Sequence, residues 1–400
     1  MKDSIYQRHI RVAMVYFAIA ALLGILLRFY PIIPFDFNYR YVVHAHSHIA
    51  LLGWVYVALT TLIHCSFVKK DAASKRYGTI FWATQITLIG MLLTFPFQGY
   101  ALFSIIFSTL FLIVSYVFFH HFSKHIDPKF GNSNALKCIK AALWYMVTSS
   151  FGPWALGVIM ATLGAQSIWY RLAIYFYLHF QYNGWMLLAL IGLFLFAMER
   201  CGTAIPQKSF MRFFWILNAG VVLTFFLSTL WTRPSPGFYV LGGIGALAQC
   251  CAFVLLWVLA KKGNLVQQLS IIQYLLLRTV MVLVGIKIIL QLLTSLPYFA
   301  QMAVIHLDLT IGYLHLTFLG VISMGLFFFM DHFGLFRITK RPFLLYVLGF
   351  LITESLIFYK GLAAWQHWVV FNRYTEILAW GSLFIPLGLL IMLARNRAKT

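Results

Sequence analysis

Charge is scarce in this chain of 400 residues. Only nine residues are acidic, and charged residues of either sign make up 10% of the sequence. Hydrophobic residues make up 62%, and the mean hydropathy is +0.87. A soluble domain cannot bury this much apolar surface, so the composition excludes a soluble globular protein and makes the lipid bilayer the chain's main solvent and partner.

Cysteine and the common catalytic motifs are scarce as well. The five cysteines form no CxxC pair, and no CxxCH is present, which excludes covalent attachment of a c-type haem to this chain. No phosphate-cradling glycine loop, nucleophile elbow or zinc-protease motif occurs. Nothing in these local patterns therefore predicts nucleotide-dependent or hydrolytic chemistry.

Long apolar runs recur along the whole chain and predict an all-α, polytopic membrane protein. Each run reaches the length of about 20 residues that a bilayer crossing needs, and only helices satisfy the backbone of such a run in lipid. The first run is too long for a cleavable signal peptide. The twelve predicted spans are 10–32, 42–68, 77–99, 100–121, 138–165, 168–198, 209–231, 236–260, 271–294, 301–330, 341–361 and 375–395.

The net charge of +21 is distributed asymmetrically between alternate loops. Of the 30 basic residues, 23 fall on one side of the predicted spans, Lys287 falls within a span, and six fall on the other side: Arg28, Arg40, Arg171, Arg233, Lys360 and Arg373. Cytoplasmic loops carry the excess of Lys and Arg. The pattern predicts a plasma (inner) membrane protein with both termini in the cytoplasm, and it argues against nucleic-acid binding.

Histidine recurs at corresponding places in three spans. His48, His179 and His315 lie in the second, sixth and tenth spans, 131 and 136 residues apart (179 − 48 and 315 − 179), and a glycine follows each after five residues. These glycines are Gly53, Gly184 and Gly320. We therefore expect one membrane domain, 1–400, built from three four-helix pseudo-repeats at about 1–125, 126–262 and 263–400.

Imidazoles inside a span are costly and are usually functional. Interfacial anchoring or hydrogen bonding is the simpler interpretation of any single one, but three in register favour a metal or a flat ligand that the glycines let approach closely. Within the HAHSH run, helical residues two apart face about 200° apart, so His46 and His48 are not expected to reach one centre. We expect His44 to be interfacial.

These residues resemble subunit I of the haem-copper oxidase superfamily, which includes oxygen reductases and nitric oxide reductases. The resemblance rests on HSHIALLGW at 46–54, GYLHLTFLG at 312–320 and FNRYTE at 371–376. It implies twelve spans and one b-type haem held by His46 or His48 together with His315. It also implies that Arg373 pairs with a haem propionate. Arg40, Gly53 and Gly320 are further candidates for the same site.

The chain departs from that family where the family holds its second metal. Tyr313 stands where the family has a histidine, and 209–231 contains no histidine. Only His179 remains near a copper-ligand position, so copper is disfavoured, whereas a second haem with a tyrosine ligand stays open. Lys287 and Glu354, both inside spans, predict either an ion pair or a proton route.

The leading expectation is a membrane haem protein with a redox role in electron transfer or in handling NO or O2, supplied by an electron-donor subunit or a quinol. One alternative is a nitric oxide reductase-like enzyme whose second metal uses His179, Tyr313 and His44. Another is a copper or zinc transporter with HAHSH as its entry site. The chain is also similar to the haem-containing membrane family that protects against nitrosative stress. Finally, we expect His120, His121 and His125 to be solvated in an inner loop.

Overall fold

The computed structural model describes residues 4–261 and 263–396, and of Ser4 and residues 70–74 it describes the backbone only. The basic residues Lys2, Lys262, Arg397 and Lys399 lie outside the described residues. Helices dominate: α1 (Ser4–Phe29), α2 (Tyr39–His48), α3 (Val57–Phe67), α4 (Lys70–Gln98), α5 (Leu102–Lys124), α6 (Asn134–Ser149), α7 (Phe151–Thr162), α8 (Ile168–His179), α9 (Leu187–Arg200), α10 (Gln207–Leu223), α11 (Pro236–Lys261), α12 (Ile271–Leu293), α13 (Pro297–Ile305), α14 (Leu307–His315), α15 (Ser323–His332), α16 (Lys340–Trp365), α17 (Tyr374–Ser382) and α18 (Phe384–Arg395).

Eleven helical stretches within the described residues are long and apolar enough to cross a bilayer. The prediction of an all-helical, multi-pass membrane protein is therefore confirmed. The stretches are Ile5–Phe29, Tyr39–Phe67, Lys75–Gln98, Leu102–Lys124, Ile168–Arg200, Gln207–Thr232, Pro236–Lys261, Ile271–Leu293, Leu307–His332, Lys340–Trp365 and Tyr374–Arg395.

The predicted span 138–165 differs, because it divides into the two shorter helices α6 and α7. The break lies at Ser150, and Pro153 follows three residues later. Proline has no amide hydrogen and cannot donate to the carbonyl of Ser149, four residues earlier. An apolar run that hydropathy reads as one span is thus two consecutive helices of 16 and 12 residues.

Of two other predicted span boundaries, one is present in the structure and one is displaced along the chain. The expected break between 77–99 and 100–121 is present: α4 ends at Gln98, and Gly99 takes a φ of 60°, which favours glycine. The expected span 301–330 begins later, because a break at His306 separates the short helix α13 from α14. His306 therefore precedes the span.

The three histidine-bearing spans share a local irregularity. The helix widens to a π-helix over Ile49–Tyr56, Phe180–Met186 and Leu316–Ile322, directly after His48, His179 and His315 respectively. Each π segment contains the glycine that follows its histidine. π-Helix is rare and occurs mostly as single turns, frequently at functional sites. The three runs of seven or eight residues therefore distinguish these segments from the α-helix around them.

The chain forms two compact units. Unit 1 comprises the residues up to Phe130, Leu326–Ala363 and the residues from His367 onward. Its interior is aromatic: the ring of Phe17 stacks on Trp54 with centroids 4.6 Å apart, and Phe327 and Tyr346 pack around this pair. Offset and edge contacts of this kind add to the burial energy of the rings.

Unit 2 comprises Gly131–Gly325 and Ala364–Gln366. In its interior α6 packs on α9, where Gly192 leaves room for the side chain of Ile139. The carboxylate of Glu199 accepts hydrogen bonds from the backbone amides of Asn134 and Ala135 at 2.9 and 3.1 Å. A carboxylate at a helix N-terminus satisfies amides that lack helical partners, so Glu199 fixes the start of α6.

Candidate functional site

His46 lies on α2 and faces α1 in unit 1. Asn38 caps α2, its side-chain oxygen accepting from the amide of Tyr41 at 3.3 Å. The imidazole Nδ1 of His46 lies 2.8 Å from the carbonyl oxygen of Ala20, so Nδ1 carries a proton and donates it. The ring edge packs against Gly24, where an added Cβ would lie 3.1 Å from Cε1. The backbone of α1 therefore fixes both the tautomer and the orientation of this ring.

His48 faces α4 and the following loop. Its Nδ1 donates to the carbonyl of His44 at 2.8 Å, and Nε2 accepts from the hydroxyl of Tyr100 at 3.2 Å. The ring packs against Phe95 with centroids 4.3 Å apart. His46 and His48 thus point to different neighbours, as the helical period predicts, and both ring nitrogens of His48 have protein partners.

His44 lies one turn before His48, and its ring meets Tyr100 edge-on with centroids 4.7 Å apart. Three alternate histidines of one short helix therefore do not converge. Across residues 4–261 and 263–396, no group of three or more His, Cys, Asp or Glu side chains is arranged to hold a metal ion. The HAHSH run places His44 and His48 on one face of the helix, at Tyr100, and His46 on another, toward α1.

The space beside Gly53 is filled by protein. An added Cβ at this position would lie 2.9 Å from the ring of Tyr16 in α1. Gly184 has the same environment in unit 2, where an added Cβ would lie 2.6 Å from the ring of Tyr145 in α6. Each of these two glycines admits a tyrosine ring from an earlier helix. Gly320 is buried within the third π segment.

The two arginines of the predicted site lie in unit 1, at the start of helices. Arg40 is the second residue of α2, and Arg373 caps α17 with a left-handed backbone, φ 62°. Both side chains are exposed. In unit 2, His315 is the last residue of α14 and is half-buried, directly before the third π segment.

A buried lysine organises the polar interior of unit 2. Lys287 has no exposed surface, and its Nζ donates to Oδ1 of Asn183 and to Oε1 of Gln291, both at 2.7 Å. The Tyr313 hydroxyl also donates to Gln291, at 3.2 Å. The rings of Tyr182 and Tyr313 each lie 5.8 Å from Nζ, within the range of a cation–π contact. Neutral amides, rather than a carboxylate, therefore accept the protons of Lys287.

The lysine sets the direction of the whole network, because an ammonium group only donates. The oxygen of Asn183 must face Lys287, so its amide nitrogen faces Nδ1 of His179 at 3.3 Å. The Ser228 hydroxyl lies 3.2 Å from the same Nδ1. The proton of His179 is then on Nε2, which donates to the carbonyl of Val221 at 2.9 Å. Both nitrogens of His179 are engaged by protein groups.

The structure therefore groups the candidate residues differently from the sequence expectation. His44 and His48 meet at Tyr100, and His46 faces away toward α1. His179 and Tyr313 belong to one hydrogen-bonded network, joined through Asn183, Lys287 and Gln291. The sequence analysis missed Asn183 and Gln291. Their signal was present, since each lies four residues after its partner histidine or lysine, which places it on the same helical face.

Comparison with known proteins gives no family for this chain. No protein-family model matches it, and no curated protein sequence shows significant similarity to it. The resemblance of its motifs to haem-copper oxidase subunit I therefore stays an expectation.

Proposed function

We propose that the chain is a twelve-span plasma-membrane protein that binds one b-type haem and has a redox role, in electron transfer or in handling NO or O2. In this proposal α6 and α7 together make the fifth span, and both termini are cytoplasmic. The three π segments, each directly after its histidine, support three pseudo-repeats with one corresponding histidine each.

The orientation of His46 is the observation that carries the proposal. Histidines that bind a metal through Nε2 almost always donate their other ring N–H to a carbonyl or carboxylate, which fixes the tautomer. His46 has this arrangement with the carbonyl of Ala20. His48 shares this arrangement through the carbonyl of His44, but its Nε2 also accepts from the hydroxyl of Tyr100, a contact that iron would have to displace. We therefore assign the ligand of the second span to His46 and treat His48 as its structural neighbour.

His315 is the proposed second axial ligand. It directly precedes the π segment of the tenth span, at the place that corresponds to His48 in the second span. Arg373 and Arg40, exposed at the ends of α17 and α2, supply the cations that haem propionates need. A haem held by two imidazoles supplies one-electron redox chemistry. The protein sets its potential through ligation, burial and propionate pairing. An electron-donor subunit or a quinol would supply the electrons.

The two alternative functions draw less support from the geometry. A second metal at His179 and Tyr313 would compete with the contacts that engage both nitrogens of His179 and the hydroxyl of Tyr313. A copper or zinc entry site would need all three HAHSH imidazoles to converge, and His46 faces α1 whereas His44 and His48 face Tyr100. A haem, by contrast, takes one imidazole from each side.

The absorption spectrum of the purified protein, oxidised and reduced, with and without carbon monoxide, tests this function. We expect a Soret band of a six-coordinate haem that carbon monoxide leaves unchanged, and one iron per chain. His315→Ala should remove the band. His306→Ala, directly before the same span, is the matched control and should retain it. A purified protein that is folded but has no Soret band, with bound copper or zinc, would favour the transporter.

A further inference from the structure

A second histidine site lies at the other end of unit 1 from His46. His64 follows His48 by sixteen residues in the same span, which is roughly 24 Å of helix. It is 1% exposed, and His121 of α5, which we had expected to be solvated, is 3% exposed. The expectation for His121 was wrong because α3, α4 and α1 cover this part of α5. Tyr6 of α1 and Tyr77 of α4 complete the cluster, with Tyr77 stacked on His64 at 3.8 Å.

The two imidazoles meet head to head. Their Nε2 atoms are 3.3 Å apart, the ring planes differ by 6°, and the ring centroids are 5.5 Å apart. The centroid separation exceeds the nitrogen separation by about two ring radii, so both nitrogens lie on the line between the ring centres. This alignment is that of an N–H···N hydrogen bond. Two imidazoles on one tetrahedral ion would meet at an angle instead.

One proton is therefore shared between the two Nε2 atoms, and it is coupled to Tyr6. The Tyr6 hydroxyl lies 2.9 Å from Nδ1 of His64. If Tyr6 donates, His64 carries its proton on Nε2 and donates to His121, whose own proton is then on Nδ1. If Nδ1 of His64 donates to Tyr6, His121 carries its proton on Nε2 and donates to His64. Both arrangements keep the two rings neutral and satisfy the pair.

The end of this pair that lies away from Tyr6 lacks a hydrogen bond. Nδ1 of His121 is buried and has no hydrogen-bond partner. A buried polar atom without a partner costs about 1–3 kcal/mol, so a pair that served only packing would gain by closing this end. The neighbouring ring of His125 lies 4.5 Å from His121 between centroids, but its Nδ1 donates to the backbone carbonyl of His121. The open atom is the position at which a proton would enter or leave the pair.

We propose that His64 and His121 form a proton-relay site that passes a proton between Nδ1 of His121 and the hydroxyl of Tyr6. As a proton binds Nδ1 of His121, the Nε2–H bond of His121 breaks and an Nε2–H bond of His64 forms. His64 then releases its Nδ1 proton to the Tyr6 oxygen, while the Tyr6 hydroxyl gives its own proton to water. No electrons move, and one proton leaves for each that enters. The relay does not depend on the proposed haem.

The surroundings are basic and aromatic rather than acidic. A small cavity adjoins the cluster on the side of Tyr77, with Thr60, Thr84 and Gln85 among its lining residues. Oε1 of Gln85 is buried and has no partner, so an acceptor is present there. The titratable groups that face the pair are Tyr6 and His9 of α1, Arg76 and Tyr77 of α4, and His120 and His125 at the end of α5.

Solid-state NMR of the full chain in lipid, with ring-15N histidine, tests the relay. Signals of His64 and His121 are assigned by their loss in His64→Gln and His121→Gln, since glutamine keeps a polar group near the Nε2 position but cannot pass a proton through a ring. We expect a scalar coupling between the two Nε2 nuclei across the hydrogen bond. We also expect both nitrogens of each ring to show signals averaged between protonated and unprotonated forms, with exchange that speeds up on warming.

Two results would overturn the relay. A single fixed tautomer in both rings at every temperature would make the pair an ordinary structural hydrogen bond. Nε2 signals typical of metal-bound nitrogen that revert on chelation would make it a metal site. His125→Gln is the matched control, because its ring hydrogen-bonds to the backbone carbonyl of His121 and to neither ring nitrogen of the pair, and it should leave the averaged signals in place. If both glutamine variants fail to fold, the coupling and the averaging in the unmodified protein still decide the question.

Discussion

The first two π segments follow the same short signature, yet different kinds of residue contact the histidines around them. In unit 1 the carbonyl of His44 and the hydroxyl of Tyr100 contact the two nitrogens of His48, and Nδ1 of His46 donates to the backbone of α1. In unit 2 both nitrogens of His179 are held, and the network continues to a buried lysine. The glycines are used alike, since Gly53 and Gly184 each admit a tyrosine ring. The comparison shows that the shared pattern sets backbone geometry, and that more distant residues decide the chemistry.

Lys287 accounts for the difference in unit 2. The amine of Lys287 donates to two amide oxygens and so places a hydrogen-bond donor among His179, Asn183 and Tyr313. The nitric oxide reductase-like alternative would need a metal ion at this place. Burying such a group is costly unless every proton finds an acceptor. The network therefore depends mainly on the amide side chains of Asn183 and Gln291.

Asn183→Leu should produce the largest effect. It removes an acceptor of Lys287 and a donor to His179 at nearly constant volume, and these two hydrogen bonds contribute about 1.5–3 and about 0.5–1.5 kcal/mol respectively. The melting temperature of the detergent-purified protein measures it. Adding Lys287→Met should restore most of the loss, because the group in need of an acceptor is then gone. A double variant no more stable than Asn183→Leu would show that the lysine does not organise this region.

Gly184→Ala and Gly53→Ala should each have an intermediate effect. The new Cβ would collide with Tyr145 or Tyr16, and overpacking of this kind costs about 1–3 kcal/mol. Gly184→Ala should cost more, since the approach there is 2.6 Å rather than 2.9 Å. Gly285→Ala is the control: nothing lies within 4 Å of its added Cβ, so helix propensity predicts equal or greater stability. Equal losses at all three glycines would contradict the packing explanation.

Tyr100→Phe should have the smallest effect. It removes the hydroxyl that donates to Nε2 of His48 near an exposed surface, which is worth about 0.5–1.5 kcal/mol at most. The haem spectrum should be unchanged, because His48 is not the proposed ligand. Absorption spectroscopy at matched protein concentration checks this. A shifted or weakened Soret band would move the assignment from His46 to His48.

The sequence predicted what depends on neighbouring residues. Apolar runs indicated the spans, Gln98 and Gly99 marked a boundary, and the helical period predicted that His46 and His48 diverge. What it missed depends on contacts between distant segments. Lys287 reaches Asn183 across 104 residues, and His121 is buried by helices that lie far from it along the chain. The break at Ser150 was missed for a different reason. Hydropathy measures only how apolar a segment is, and it does not register that Pro153 lacks the amide hydrogen of a helical hydrogen bond.

Replacing His46 by glycine and supplying imidazole tests the central claim most directly. If His46 holds the iron, His46→Gly should lose the six-coordinate haem spectrum, and added imidazole should restore it by occupying the vacated space. His48→Gly, two residues away, should keep the spectrum without imidazole. The opposite pattern, with the spectrum intact in His46→Gly and lost in His48→Gly, would contradict the assignment of the ligand to His46.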